Sequence, residues 1–344
     1  MITPATTPTP PDGWDPDVRA WVDRGLELAA RQQGAALQGL PLDEREAAFP
    51  GLTPAGREAA RQLSDTLFAE FGAPGDPAVT KTELAIPGPA GPRRAHLYRP
   101  SGADGVPLPA VLELHGGGWC IGSIDELIDD SLCRWRASEA GCVVVDLDYR
   151  LAPEHRFPAG LEDAYAALVH LATHAAELGI DPARIAVNGS SAGGNLSAAL
   201  CLLSRDRGGP AIVGQVLEVP ATDLADESAW TQVSPDNSNG IGTTAGIVET
   251  YLQGHDPSDP YASPLHAGDL TGLPPAHIIT AEVDPLYPQG LAYAARLRQA
   301  GVAVTATWHW GELHGSAGVI GRFRGARLWQ AEVVAALRDL FQER

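Results

Sequence analysis

The sequence predicts an α/β protein built on a mainly parallel central sheet of about eight strands, with helices on both faces. Three observations carry that expectation. From about residue 80 onward, short apolar strand-like runs alternate with amphipathic helical runs to the end of the chain. The run "PAVLELHGGG" (109–118) reads as a strand covered on both sides. Two stretches outside the alternation, roughly 1–75 and 224–263, are placed to cap the carboxyl edge of the sheet, where open α/β sheets bind ligands.

Composition sets the outer bounds. The 344 residues are 44% hydrophobic and 19% charged, which suits a globular chain with a large core. A formal net charge of −19 argues against nucleic acid as a partner, because a phosphate backbone would be repelled. No apolar run reaches membrane-spanning length. The opening "MITPATTPTPPDGWDP" lacks the basic-then-apolar pattern of a secretory signal and reads as a leader, so the expected location is the cytoplasm. Cys120, Cys133, Cys142 and Cys201 show no metal-binding spacing and are expected as reduced, mostly buried thiols.

Two helices come first. "DPDVRAWVDRGLELAARQQ" sets Val18, Val22 and Leu26 on one face with Trp21 beside them, and "TPAGREAARQLSDTLFAEFG" is opened by Thr53-Pro54 and closed by Gly72. "TKTELAIPG" and "RRAHLYRPS" then alternate as strands around a turn at Gly88 to Pro92. The strand at 109 is followed by a helix through Leu132 to Ala140, the strand "CVVVDLDYR", and the helix "PAGLEDAYAALVHLATHAAELG". "RIAVNGSS" leads into the helical "AGGNLSAALCLLSRDRG", and "IVGQVLEVP" is a strand. After an irregular polar stretch come the strand "AHIITAEVD", the helix "GLAYAARLRQAG", the strand "VAVTATWHW" and a helix from about Ala326 to Phe341.

Chemistry concentrates at strand ends. Gly189-Ser190-Ser191-Ala192-Gly193 fits G-x-S-x-G centred on Ser191 and not on Ser190, whose flanking positions are Asn188 and Ala192. That pattern demands a sharp strand-to-helix turn presenting the hydroxyl, with small residues letting helix and strand approach closely. Its bland alternative is a tight turn of small residues. His115-Gly116-Gly117-Gly118 ends an earlier strand, and its backbone N–H groups, joined by that of Ala192, could face an oxyanion. A reacting serine needs a base and an orienting acid in the chain order Ser, Asp or Glu, His. Asp284, just past a strand, competes with Glu282 inside it. His314, past a strand and before Gly315, competes with His309 between two tryptophans.

Together these segments resemble the hormone-sensitive-lipase-like (family IV bacterial esterase) branch of the α/β-hydrolase superfamily. "HGGGWCIGS" (115–123), "DYRLAPEHRFPA" (148–159), "GSSAGGNLSAAL" (189–200), "YASPLHAGDLTGLPPAHIITAEVDPL" (261–286) and His314-Gly315 carry the resemblance across about residues 80–340. It implies the α/β-hydrolase fold with a helical cap: residues 1–75 as leader and cap helices, 76–344 as the catalytic domain, with a further cap segment at about 224–263. It implies Ser191 as nucleophile, His314 as general base and acid, Asp284 as orienting carboxylate, and an oxyanion hole from the Gly116, Gly117 and Ala192 amides. His115 would then be a structural hydrogen-bonding residue, with "DYRLAPEHRFPA" fixing a loop beneath the site. The implied activity is carboxylester hydrolysis on short- to medium-chain acyl esters, with no metal or organic cofactor. The acyl pocket would be enclosed by a cap containing Trp14, Trp21, Leu26 and Phe68. The alternatives are deacylation of amides, lactones or acetylated sugars, or a non-catalytic small-molecule receptor of the same fold, which the intact Ser191–Asp284–His314 set disfavours. The partner expected is a small acyl ester, and a homodimer through the last strand and helix is common in the family.

The chain also departs from the family pattern. Ser190 stands where relatives carry an acid or threonine, Glu218-Val219 where an apolar residue and an aromatic are common, Tyr287-Pro288-Gln289 after the acid motif, and Ser316 where phenylalanine is frequent. Because Ser190 and Glu218 end neighbouring strands, an acid–hydroxyl pair with its members exchanged is expected there.

Overall fold

In the computed structural model, which describes residues 16–36, 53–102, 105–226 and 245–342, eight strands form one sheet in the order β1-β2-β4-β3-β5-β6-β7-β8. They are β1 Thr80–Ile86, β2 Arg93–Arg99, β3 Leu108–Leu114, β4 Val143–Leu147, β5 Ile180–Ser190, β6 Gln215–Glu218, β7 Ala276–Val283 and β8 Val304–Leu313. β2 pairs antiparallel with both β1 and β4, and every pairing from β4 to β8 is parallel. The chain leaves β3 to form β4 on one side and returns to place β5 on the other. The strand order therefore reverses at β3, and the carboxyl ends of β3 and β5 lie side by side, with Leu114 opposite Gly189. That is where a crevice opens in an open parallel sheet.

Two apolar layers sandwich the sheet. Alternate residues of each strand serve opposite layers: Ala110, Leu112 and Leu114 face one, Val111 the other. The first layer is closed by α4 (Ala159–Thr173), α6 (Ala192–Asp206) and α8 (Tyr287–Gln299), with the four-residue turn α5 (Ala175–Leu178) between α4 and β5. The second is closed by α3 (Leu127–Ala140) and α9 (Arg324–Phe341), through Cys133, Ala137, Trp329, Val333 and Leu337. All four cysteines are free and buried.

Helices α1 (Pro16–Ala36) and α2 (Pro54–Phe71) build a third apolar cluster at the carboxyl ends of β7 and β8. Val18, Val22 and Phe71 pack there with Val283, Leu313, Val319 and Phe323, and Trp21 meets Phe323 edge-on at 6.1 Å. Thr53 caps α2 by accepting from the Gly56 amide at 3.0 Å. The expected shared face is corrected at one position: Leu26 is 43% exposed while Val18 and Val22 are buried. The drift of a 3.6-residue repeat carries it off the stripe, and Arg24 beside it pairs outward with Glu70 of α2 at 2.8 Å. Trp14 lies outside the described residues. Within the polar stretch that reads as irregular, α7 (Ala245–Leu252) is helical and sets Ile247, Tyr251 and Leu252 against the main core. Among the described residues, no helix is long and apolar enough to cross a membrane.

Candidate active site

The turn from β5 into α6 is packed tightly, main chain against main chain. A Cβ on Gly193 would lie 1.8 Å from the Leu114 carbonyl, and one on Gly189 would lie 2.4 Å from Gly193 itself. Both positions therefore accept only glycine. Between them Ser191 sits at φ 58°, ψ −114°, a conformation costing a non-glycine residue about 1–3 kcal/mol. Neighbouring bonds impose it. The Ser191 amide donates to the Glu218 carbonyl at 2.8 Å, and the Ser191 carbonyl accepts from Asn195 at 2.9 Å and Ala221 at 3.3 Å.

His314 Nε2 lies 2.9 Å from Ser191 Oγ, and His314 Nδ1 lies 3.0 Å from Asp284 Oδ1. Each group stands just beyond a strand: Asp284 beyond β7, His314 beyond β8. The turn carrying His314 is tied by Ser316, whose Oγ accepts from the Leu313 amide at 3.0 Å and donates to Glu312 at 2.5 Å. A phenylalanine could make neither bond. Asp284 is buried and accepts from the Leu286 amide at 2.9 Å. Burial pushes the His314 imidazole toward neutrality, but the charge and hydrogen bonding of Asp284 more than offset it, and its pKa is raised. The local competitors lie elsewhere. His309 Nε2 is 2.7 Å from Glu332 on α9, and Glu282 accepts from the Gly311 amide at 2.7 Å.

The loop after β3 flanks the serine. A Cβ on Gly116 would stand 3.7 Å from that of Ser191, and Gly117, at φ +112°, accepts from the Cys120 and Ile121 amides. His115 supports this loop from below: its Nδ1–H donates to the Gly116 carbonyl at 2.8 Å, and its ring stacks on Tyr149 at 4.3 Å. Tyr149 Oη donates to the His115 carbonyl at 2.7 Å, and Arg150 is fixed by Asp163 at 2.8 and 2.9 Å, so "DYR" builds a floor. Ala192 opens the 15-residue α6, whose N-terminal field favours negative charge beside Ser191. Trp119 donates to Asn195 at 3.3 Å and stacks on Tyr251 of α7 at 4.4 Å, while Ile247 abuts Gly118.

Glu218 corrects the expected acid–hydroxyl pair. It is the register partner of Ser190, but its buried carboxylate accepts from Arg136 at 2.6 Å, Trp329 at 2.8 Å and Asn188 at 3.1 Å. α3 and α9 bring a guanidinium and an indole to that face, both better placed donors than the hydroxyl. Gln289 carries another departure: its side chain accepts from the Thr222 and Asp223 amides at 2.6 and 2.8 Å. Sequence reasoning missed Arg136, since a basic residue in an amphipathic helix reads as a solvent-facing one.

A family model described as alpha/beta hydrolase fold matches residues 111–317. The chain belongs to the hormone-sensitive-lipase-like branch of the α/β-hydrolases. Within that family it is similar to the carboxylic ester hydrolase LipN of Mycobacterium tuberculosis, at 44% identity over 76% of this chain and 70% of that one. An arylesterase of Saccharolobus solfataricus is 38% identical over 67% of this chain and 75% of its own length. Among solved structures, the hyperthermophilic esterase of Pyrobaculum calidifontis superimposes with a TM-score of 0.75 at 38% identity, covering 83% of this chain and 92% of that one. The ester-hydrolase EH1AB1 from the Lake Arreo metagenome does so at 0.80 and 34% identity, covering 96% and 99%.

Proposed function

We propose that this carboxylic ester hydrolase acts on short- to medium-chain acyl esters through an acyl-enzyme on Ser191. One observation carries the reading: Ser191 Oγ, His314 and Asp284 form a continuous line of contacts at 2.9 and 3.0 Å, with the two imidazole nitrogens facing different partners. Ser191 attacks the ester carbonyl as His314 Nε2 takes its proton. Asp284 holds the ring orientation and stabilises the imidazolium. The Gly116, Gly117 and Ala192 amides receive the tetrahedral oxyanion. His314 then protonates the departing alcohol, and water activated by the same histidine releases the acid.

The limit on acyl length is supported by the apolar groups of α7 against the oxyanion loop, with Ile247 touching Gly118. Two domain-scale readings go with it: residues 1–75 supply a leader and cap helices over the catalytic domain, with a further cap segment at about 224–263, and the protein works in the cytoplasm. Edge strand β8 leaves Trp308 and Trp310 exposed, which favours the homodimer through β8 and α9. Light scattering of the parent and Trp310→Glu chains tests that contact, and a monomeric parent rejects it.

Hydrolysis of activated esters of rising chain length tests the activity, with a phosphonate adduct mapped by mass spectrometry. The adduct is expected on Ser191 alone, with rates declining beyond medium chains. Ser191→Ala should lower kcat by a factor on the order of 10⁶. An active Ser191→Ala chain, or an adduct elsewhere, rejects the assignment.

A further inference from the structure

The glycine-rich oxyanion loop needs support from outside itself, and helix α2 supplies some of it through one side chain. Arg57, in the first turn of α2, spreads its guanidinium over three acceptors. Nε donates to the Cys120 carbonyl at 2.7 Å, Nη2 to the Ala152 carbonyl at 2.8 Å, and Nη1 and Nη2 to the Glu154 carboxylate at 3.1 and 2.5 Å. Cys120 lies three residues past Gly117, and its own amide donates back to the Gly117 carbonyl at 3.1 Å. Ala152 belongs to the loop underneath, and its amide donates to the Trp119 carbonyl at 2.9 Å. One cation thus joins the donor loop to the floor loop from a helix more than sixty residues away. A planar fork reaches these diverging acceptors together, and a lysine ammonium does not.

We infer that Arg57 is a positioning residue for the oxyanion loop, holding the Gly116 and Gly117 amides where the transition-state oxygen forms, with Glu154 orienting its guanidinium. The inference rests on the proposed reading of those amides as oxyanion donors. It gives the "PEH" of "DYRLAPEHRFPA" a purpose: Glu154 neutralises and aims the cation, and takes no proton in the reaction. Arg57 also borders a solvent-open cavity of about 330 Å³, shared with Arg93, Asp148, Tyr149, Glu154 and His155. A free guanidinium ion can enter that space.

The test uses the full chain with Arg57→Ala and Arg57→Lys. It measures kcat, KM and inhibition by an aryl trifluoromethyl ketone, whose serine adduct places an oxyanion in the hole. Removing a whole oxyanion donor costs about 10²–10³ in kcat, so loosening the loop should cost Arg57→Ala about 10- to 100-fold. KM should stay within about twofold, the ketone should weaken in the same proportion as kcat, and guanidinium chloride, unlike sodium chloride, should restore part of both. Arg57→Lys should fall between. A kcat within twofold of the parent, or a kcat loss without weaker ketone binding, overturns the inference. Should Arg57→Ala fail to fold, Arg57→Lys keeps the stem and charge and is judged by the same two criteria. Strong ketone inhibition of the parent chain tests the oxyanion reading separately, so that reading fails in the parent and this one only in the variants.

Discussion

Arg136 and Glu218 meet at 2.6 Å inside the core, and the same guanidinium stands 2.8 Å from Glu113. All three side chains are buried, and Asn188 donates to both carboxylates. Removing the cation would leave two carboxylates facing each other without a counter-charge. Arg136→Met should therefore destabilise the chain by about 3–5 kcal/mol, read from urea unfolding midpoints. The combination Arg136→Met, Glu113→Gln and Glu218→Gln should recover part of that loss, and a combination no better than the single change would contradict this account.

The pH profile of kcat/KM should carry an acid limb set by His314. Only the neutral imidazole accepts the serine proton, so activity falls as pH drops through its pKa. Because that pKa is raised, the limb should be centred above the ordinary value of about 6.5. Asp284→Asn removes both upward influences and leaves burial, so the limb should move to lower pH while kcat falls by about 10⁴. Rates measured from pH 5 to 9 on both chains decide it.

Gly193→Ala should abolish the elbow. Its new methyl would sit 1.8 Å from the Leu114 carbonyl, main chain that a side-chain rotation cannot relieve. Little folded protein, or folded protein that no longer reacts with a fluorophosphonate, is expected. A normally reactive Gly193→Ala chain would show that helix and sheet are not in the contact described.

Asp146→Asn should help at high pH and less at low pH. The Asp146 carboxyl is buried, and among the described residues neither of its oxygens has a hydrogen-bond partner; burial and then the nearby Glu113 raise its pKa. Unfolded, it ionises near 3.9, so as pH rises past that value the folded state holds the extra proton and stability falls. Asparagine does not titrate. The melting temperature of Asp146→Asn relative to the parent should climb between pH 4.5 and 8, and a difference that stays flat excludes the effect.

What was legible in the chain is what short-range geometry dictates. Gly189 and Gly193 declare a strand-to-helix turn around Ser191 because no side chain fits at either glycine. Asp284 and His314 follow strands whose apolar runs are plain. Boundaries set by distant partners were not legible. α3 begins at Leu127, five residues before the start expected at Leu132, because the Leu127 amide is received by Asp65 of α2 at 2.9 Å. α8 likewise begins at Tyr287 rather than Gly290, with Gln289 tied to Thr222 and Asp223 across the sheet edge. The partners of Glu218 were hidden for the same reason, since Arg136 and Trp329 reach it from helices 82 and 111 residues away.

The buried His115 beneath the donor loop has a consequence of its own. Burial pushes its pKa down to about 4, with the hydrogen bond to Gly116 opposing only in part. Across the range where an esterase works it therefore stays neutral, stacked on Tyr149. The two imidazoles near Ser191 are pushed opposite ways: Asp284 raises the pKa of His314, and burial lowers that of His115. Under the proposed mechanism, the surface that receives the oxyanion would thus keep its shape and field while His314 beside it changes charge in every turnover.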